Sequence, residues 1–189
     1  MKIKNIERLV RLTGRIQLLD GADNLWIGNG YAIAPVWDFK RIADEQAAAL
    51  LNLTEKERDK FRIERGAIDE AALTDPGPDE ELLGEPLIGA TVQEIAYTVY
   101  DAPSGAVWIR DAWLKPFLSE DKRARLALRQ TEFGPRVAVL RGFFLVGIIA
   151  PAPVGGELCR TLETLYVRTS QLLEFGPETD MRAIKGGLS

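Results

Sequence analysis

Short β-prone apolar runs alternating with glycine turns dominate two stretches of this chain, and they commit it to antiparallel sheet. Leu25-Trp26-Ile27 breaks at Gly28-Asn29-Gly30 and resumes as Tyr31-Ala32-Ile33. Asn-Gly between two such runs is a strong hairpin signal, since both residues tolerate the positive φ of a tight turn. In the second stretch, Arg125-Leu126-Ala127-Leu128-Arg129 alternates in polarity. Gly134-Pro135 then leads into Val137-Ala138-Val139-Leu140, and Arg141-Gly142 into the apolar run from Phe143 to Ala150. That order predicts a meander of three strands. Val92 to Tyr100, a turn at Pro103-Ser104-Gly105, and Val107-Trp108-Ile109 predict further extended chain.

Helical signals surround these strands. Ile6, Leu9, Val10, Thr13 and Ile16 recur at spacings of three and four, which predicts a helix over Asn5 to Leu18, weakened at Gly14. The alanine- and leucine-rich ADEQAAALLNL favours a second helix, and Thr54 with Glu57 forms a capping-box pattern for a third. A last helix is expected from Gly156 to Glu174, with Leu158, Leu162, Leu165, Tyr166, Leu172 and Leu173 on one side and Phe175-Gly176-Pro177 as its stop. Residues 67–86 are acidic and carry Asp75-Pro76-Gly77-Pro78, so they read as a linker.

The expected organisation is therefore an α+β fold, an antiparallel sheet with helices on one face. It would consist of an N-terminal half over 1–66 with a helical insertion, the linker 67–86, and a C-terminal half over 87–189. Residues 24–35, 106–116 and 136–147 share a strand-turn-strand form, a weak sign of internal duplication.

Composition narrows the chemistry. The 189 residues include no histidine and one cysteine, Cys159, which removes most routes to zinc sites, Ser-His or Cys-His nucleophiles and disulfides. Cys159 sits beside the leucine stripe and reads as a buried, inert thiol. Carboxylates such as Asp20, Asp23 and Asp38, or Asp75, Asp79, Glu80 and Glu81, have no spacing that marks acid-base or Mg²⁺ work. No phosphate-binding glycine motif accompanies them. A non-enzymatic role without cofactor is expected. No apolar run reaches the roughly 18 residues of a membrane span, and the first residues lack the apolar core of a secretory signal, so the expected location is the cytoplasm.

A net charge of −4 opposes nonspecific coating of nucleic acid by the whole surface, but a local basic face remains open. On a continuous helix, Lys4, Arg8, Arg11 and Arg15 fall within an arc of roughly 60°. Such a ridge meets phosphates without reading bases; the alternative is an ordinary solvated helix face. Trp37, Phe39 and Trp113 are candidate anchors for a protein partner, with core packing as the alternative.

Trp113-Leu114-Lys115-Pro116-Phe117, followed by the three strands through Ala150-Pro151, resembles a pattern of the DNA sliding clamp family, in which a short "YLK" helix precedes two strands and a final strand ending in Met-Pro. Trp113 stands for the aromatic residue and Ala150-Pro151 for Met-Pro. Trp26-Ile27-Gly28-Asn29-Gly30-Tyr31-Ala32 is similar to that family's strand followed by "ATDGYRLA", with Asn29 in place of the aspartate. The resemblance implies two similar clamp-like halves and a homo-oligomeric ring around double-stranded DNA. Lys4, Arg8, Arg11 and Arg15 would then make the backbone contacts. Such a protein would be of phage or mobile-element kind. The other expectation is a protein-protein interaction module without DNA binding.

Overall fold

The computed structural model describes residues 1–37, 39–119, 123–131 and 134–153, so the helix expected over 156–174 and Cys159 lie outside the described residues. Met1–Ala152 forms one compact unit. Its elements in chain order are α1 (Ile3–Arg11), β1 (Arg15–Asp20), β2 (Leu25–Gly28), β3 (Ala32–Val36), α2 (Asp44–Leu50), α3 (Glu55–Arg58), β4 (Arg62–Ala67), α4 (Glu70–Thr74), β5 (Glu81–Leu82), β6 (Pro86–Val92), β7 (Ile95–Ala102), β8 (Gly105–Arg110), α5 (Asp111–Leu118), β9 (Arg125–Thr131), β10 (Gly134–Arg141) and β11 (Phe144–Ile149).

The fold is α+β. An eight-stranded sheet runs β4-β1-β2-β3-β11-β10-β9-β5, and a separate three-stranded antiparallel sheet runs β6-β7-β8. Every pairing in the large sheet is antiparallel except β1 with β4. The two hairpin stretches that dominate the sequence meet at its centre, where Ile33 of β3 pairs Ile148 of β11. Residues 67–86, expected as a linker, carry α4 and β5, and strands from both sides of that segment join the one large sheet.

Strand alternation divides the core. Ile16, Leu18, Leu25, Ile27, Val137, Val139 and Ile149 share a cluster with Leu9 of α1, Ala48 of α2 and Phe117 of α5. Trp26, Ala127, Ala138, Leu140, Leu145 and Ile148 point to the opposite face, where Leu73 of α4 packs. This is the period-2 pattern of a sheet buried on both sides. Three helices therefore lie against one face, and the short α4 lies on the other. The approach of α5 depends on Gly147: a Cβ there would stand 2.0 Å from Cε1 of Phe117. The β10–β11 register also shifts between Val139 and Leu140, so β11 bulges next to this contact.

The first helix is shorter than expected. It stops at Arg11, a turn follows, and Gly14 adopts φ +66°, a left-handed conformation that ends helices. Arg15 then opens β1 and pairs in parallel with Arg62 of β4. The apolar residues Ile16 and Leu18 fit the helical spacing, but they also fit alternation, and pairing with β2 and β4 on both sides decides for strand.

Candidate functional site

The four cations expected on one helical ridge separate. Lys4 and Arg8 are exposed on α1. Arg11 donates from Nε to Glu7 Oε1 at 2.9 Å and from Nη1 to Glu57 Oε1. Hydrogen bonding to Arg11, then to the Thr54 backbone and side chain, holds the Glu57 carboxyl at about 2. Arg15 leaves the helix altogether, and its guanidinium grips Glu64 of β4, with Nε at 2.7 Å from Oε2. A ridge meant for phosphate would leave its cations open; here two of the four are committed to carboxylates of the same chain.

The aromatic candidates separate too. Trp113 is only 6% exposed. Its ring stacks on Tyr31 at 4.6 Å between centroids, and the Arg110 guanidinium carbon lies 5.4 Å from the ring centroid. Trp113 is thus a packing residue, pulled in with Leu114 and Phe117 because α5 turns that face toward the core. Trp37 and Phe39 do reach solvent, at 46% and 42%.

Sequence reasoning missed their neighbours. Phe143 is 99% exposed and Phe144 70%, at the turn between β10 and β11. Because β3 runs antiparallel to β11, the end of β3 leading to Trp37 and the start of β11 lie at the same end of the large sheet. The backbone N–H of Leu25 donates to the Phe39 carbonyl at 2.5 Å, which keeps the Phe39 loop against β2 at that end. Arg125 belongs to the same end, since its backbone faces Leu140 and its Nη2 donates to the Gly142 carbonyl. Lys40 and Arg41 follow Phe39, and their heads lie 3.9 Å from Asp23 and 3.3 Å from Asp20. Solvent-facing phenylalanines at a hairpin tip were a sequence signal in themselves: Phe143-Phe144 directly follows the Arg141-Gly142 turn, where side chains rarely find a core.

One buried carboxylate braces this end. Glu70 of α4 is 8% exposed and accepts from Asp23 N at 2.6 Å, Asn24 N at 3.2 Å, Asn24 Nδ2 at 3.0 Å and Trp26 Nε1 at 2.8 Å. Burial by itself would raise its pKa. The donors from Asp23, Asn24 and Trp26 outweigh burial, and the carboxyl titrates below its ordinary value. At the other end of α4, buried Arg129 donates from Nη1 to the Leu73 carbonyl and from Nε to Glu80. Short α4 is thereby tied to the sheet at both ends, and the 21–24 loop is tied to α4. Among the described residues, no three His, Cys, Asp or Glu side chains converge so as to hold a metal ion.

The sequence matches no protein-family model, and the chain matches no curated protein and no solved structure.

Proposed function

We propose that this chain is a non-enzymatic binding module that docks a protein partner through the aromatic end of its large sheet. The observation that carries this reading is the exposure of Phe143 and Phe144, at 99% and 70%, at the sheet end that also presents Trp37 and Phe39. Aromatic side chains in water forgo a large favourable burial term, about 25 cal/mol per Å² of apolar surface, and grouped exposure of this kind marks contact sites. Arg125 borders the group, whereas Lys40 and Arg41 are already paired with Asp23 and Asp20, so the complementary surface is chiefly an apolar pocket.

The test is a comparison of three baits under matched conditions: wild type, the double variant Phe143→Ser/Phe144→Ser, and the double variant Lys4→Glu/Arg8→Glu. A protein recovered in stoichiometric amount by the first and third and lost from the second supports docking at the aromatic end. Retention of duplex DNA by wild type and by the serine variant, lost in the glutamate variant, would instead favour the backbone-contacting reading of α1.

A further inference from the structure

A cavity of about 700 Å³ lies on the sheet face opposite α1 and α5, beneath α4. Its apolar lining comes from Leu19, Ile33, Ile148, Ile68 and Leu73. Ala72 on α4 and Ala150 after β11 contribute small side chains that leave the space open. The volume falls in the range of about 300–1,000 Å³ typical of small-molecule sites. The roof is fixed, because Glu70 and Arg129 bind α4 at its two ends.

The polar part of the lining is uneven in charge. Arg15, near the rim beside Gly30, is neutralised by Glu64. Asp69 spends a carboxylate oxygen on the backbone N–H of Ala72, at 3.2 Å, as the cap of α4. Arg136 differs: among the described residues its guanidinium donates to the Pro135 carbonyl at 2.7 Å and forms no ion pair. The side-chain amide of Gln17, also in the lining, has no protein partner among the described residues. A cationic head with unspent donors beside a fixed apolar floor suits a molecule with an apolar body and one anionic group.

We infer that this cavity binds a small amphipathic carboxylate, with the apolar body over Ile33, Ile148 and Leu73 and the anionic head at Arg136. The carboxylate accepts from the guanidinium, and Gln17 supplies a further hydrogen bond at the rim. This site is independent of the aromatic end, which lies at the other end of β11.

The experiment is titration calorimetry of the full chain with monomeric dodecanoate, with dodecanol as the neutral control. Arg136→Gln removes the charge, and Ala72→Trp fills the space from an exposed position on α4. Thermal melts of both variants check that the fold is retained. The expected result is one-to-one binding of dodecanoate, at least tenfold weaker in Arg136→Gln and abolished in Ala72→Trp, with dodecanol bound weakly and equally by wild type and Arg136→Gln. Absence of binding by the wild type, equal binding by all three proteins, or no preference for the carboxylate over the alcohol would overturn the inference.

Discussion

Replacing Glu70 by alanine removes the acceptor of four hydrogen bonds at once, and the structure gives the size of the effect. Trp26 is buried, so its indole N–H keeps no partner and no water; an orphaned buried donor costs about 1–3 kcal/mol. The Asp23 and Asn24 donors sit in a partly exposed loop where water replaces the carboxylate, so their loss adds about 1 kcal/mol in total. Glu70→Ala is therefore expected to lower unfolding free energy by about 2–4 kcal/mol. Glu70→Gln keeps one acceptor oxygen but turns an amide donor toward Asn24 or Trp26, which gives a loss of about 1–2 kcal/mol. Urea unfolding followed by tryptophan fluorescence measures both. A cost for Glu70→Ala below about 0.5 kcal/mol, the ordinary scatter of surface substitutions, or a glutamine variant less stable than the alanine variant, would refute this bracing role of Glu70.

The same carboxyl sets a pH dependence. Its folded pKa lies below the ordinary value of 4.5, so its contribution is present above that value and is lost as pH falls through the lower folded value. Urea midpoints should fall more steeply for wild type than for Glu70→Gln once pH drops below 4.5. Gly147→Ala should destabilise by about 1–3 kcal/mol through overpacking against Phe117, and the smaller ring-free side chain of Phe117→Leu in the same chain should recover part of that loss. Asn29 is fully buried, donates to the Leu9 carbonyl and accepts from Tyr31 N and Ala32 N; Asn29→Ala should cost about 2–3 kcal/mol in the same assay.

Local signals in the sequence were sufficient where one short segment decided its own conformation. The Gly28-Asn29-Gly30 turn, the β9 to β11 meander and the Thr54–Glu57 box are all present, with Glu57 Oε2 accepting from Thr54 N at 2.9 Å. Where pairing across the chain decides, they were not. Arg62-Ile63-Glu64-Arg65-Gly66-Ala67 has charges and a glycine, the marks of a loop, yet it becomes β4 because β1 offers a parallel edge. Residue spacing alone extends the first helix through Arg15, because it cannot register the left-handed turn at Gly14. Glu70 lies in the acidic stretch 67–86 with partners 44 to 47 positions away, and nothing local separates it from Glu80 or Glu81. Asn29 sits in the motif on which the clamp resemblance rests, and its observed contacts give it a structural task, joining α1 to the β2–β3 turn. Of the proposed contact residues, Trp37 and Phe39 are legible in the sequence as candidates, while Phe143 and Phe144 are continuous with the apolar run of β11, which hides their exposure.

The most direct measurement of the central claim is the affinity of the partner recovered by the wild-type chain, determined for wild type and for Phe143→Ser/Phe144→Ser by surface plasmon resonance. Both phenylalanines are exposed, so the variant should unfold within about 0.5 kcal/mol of wild type. Loss of two central aromatic anchors at about 2 kcal/mol each should weaken binding by roughly 1,000-fold. An unchanged affinity in a correctly folded variant would contradict docking through the aromatic end.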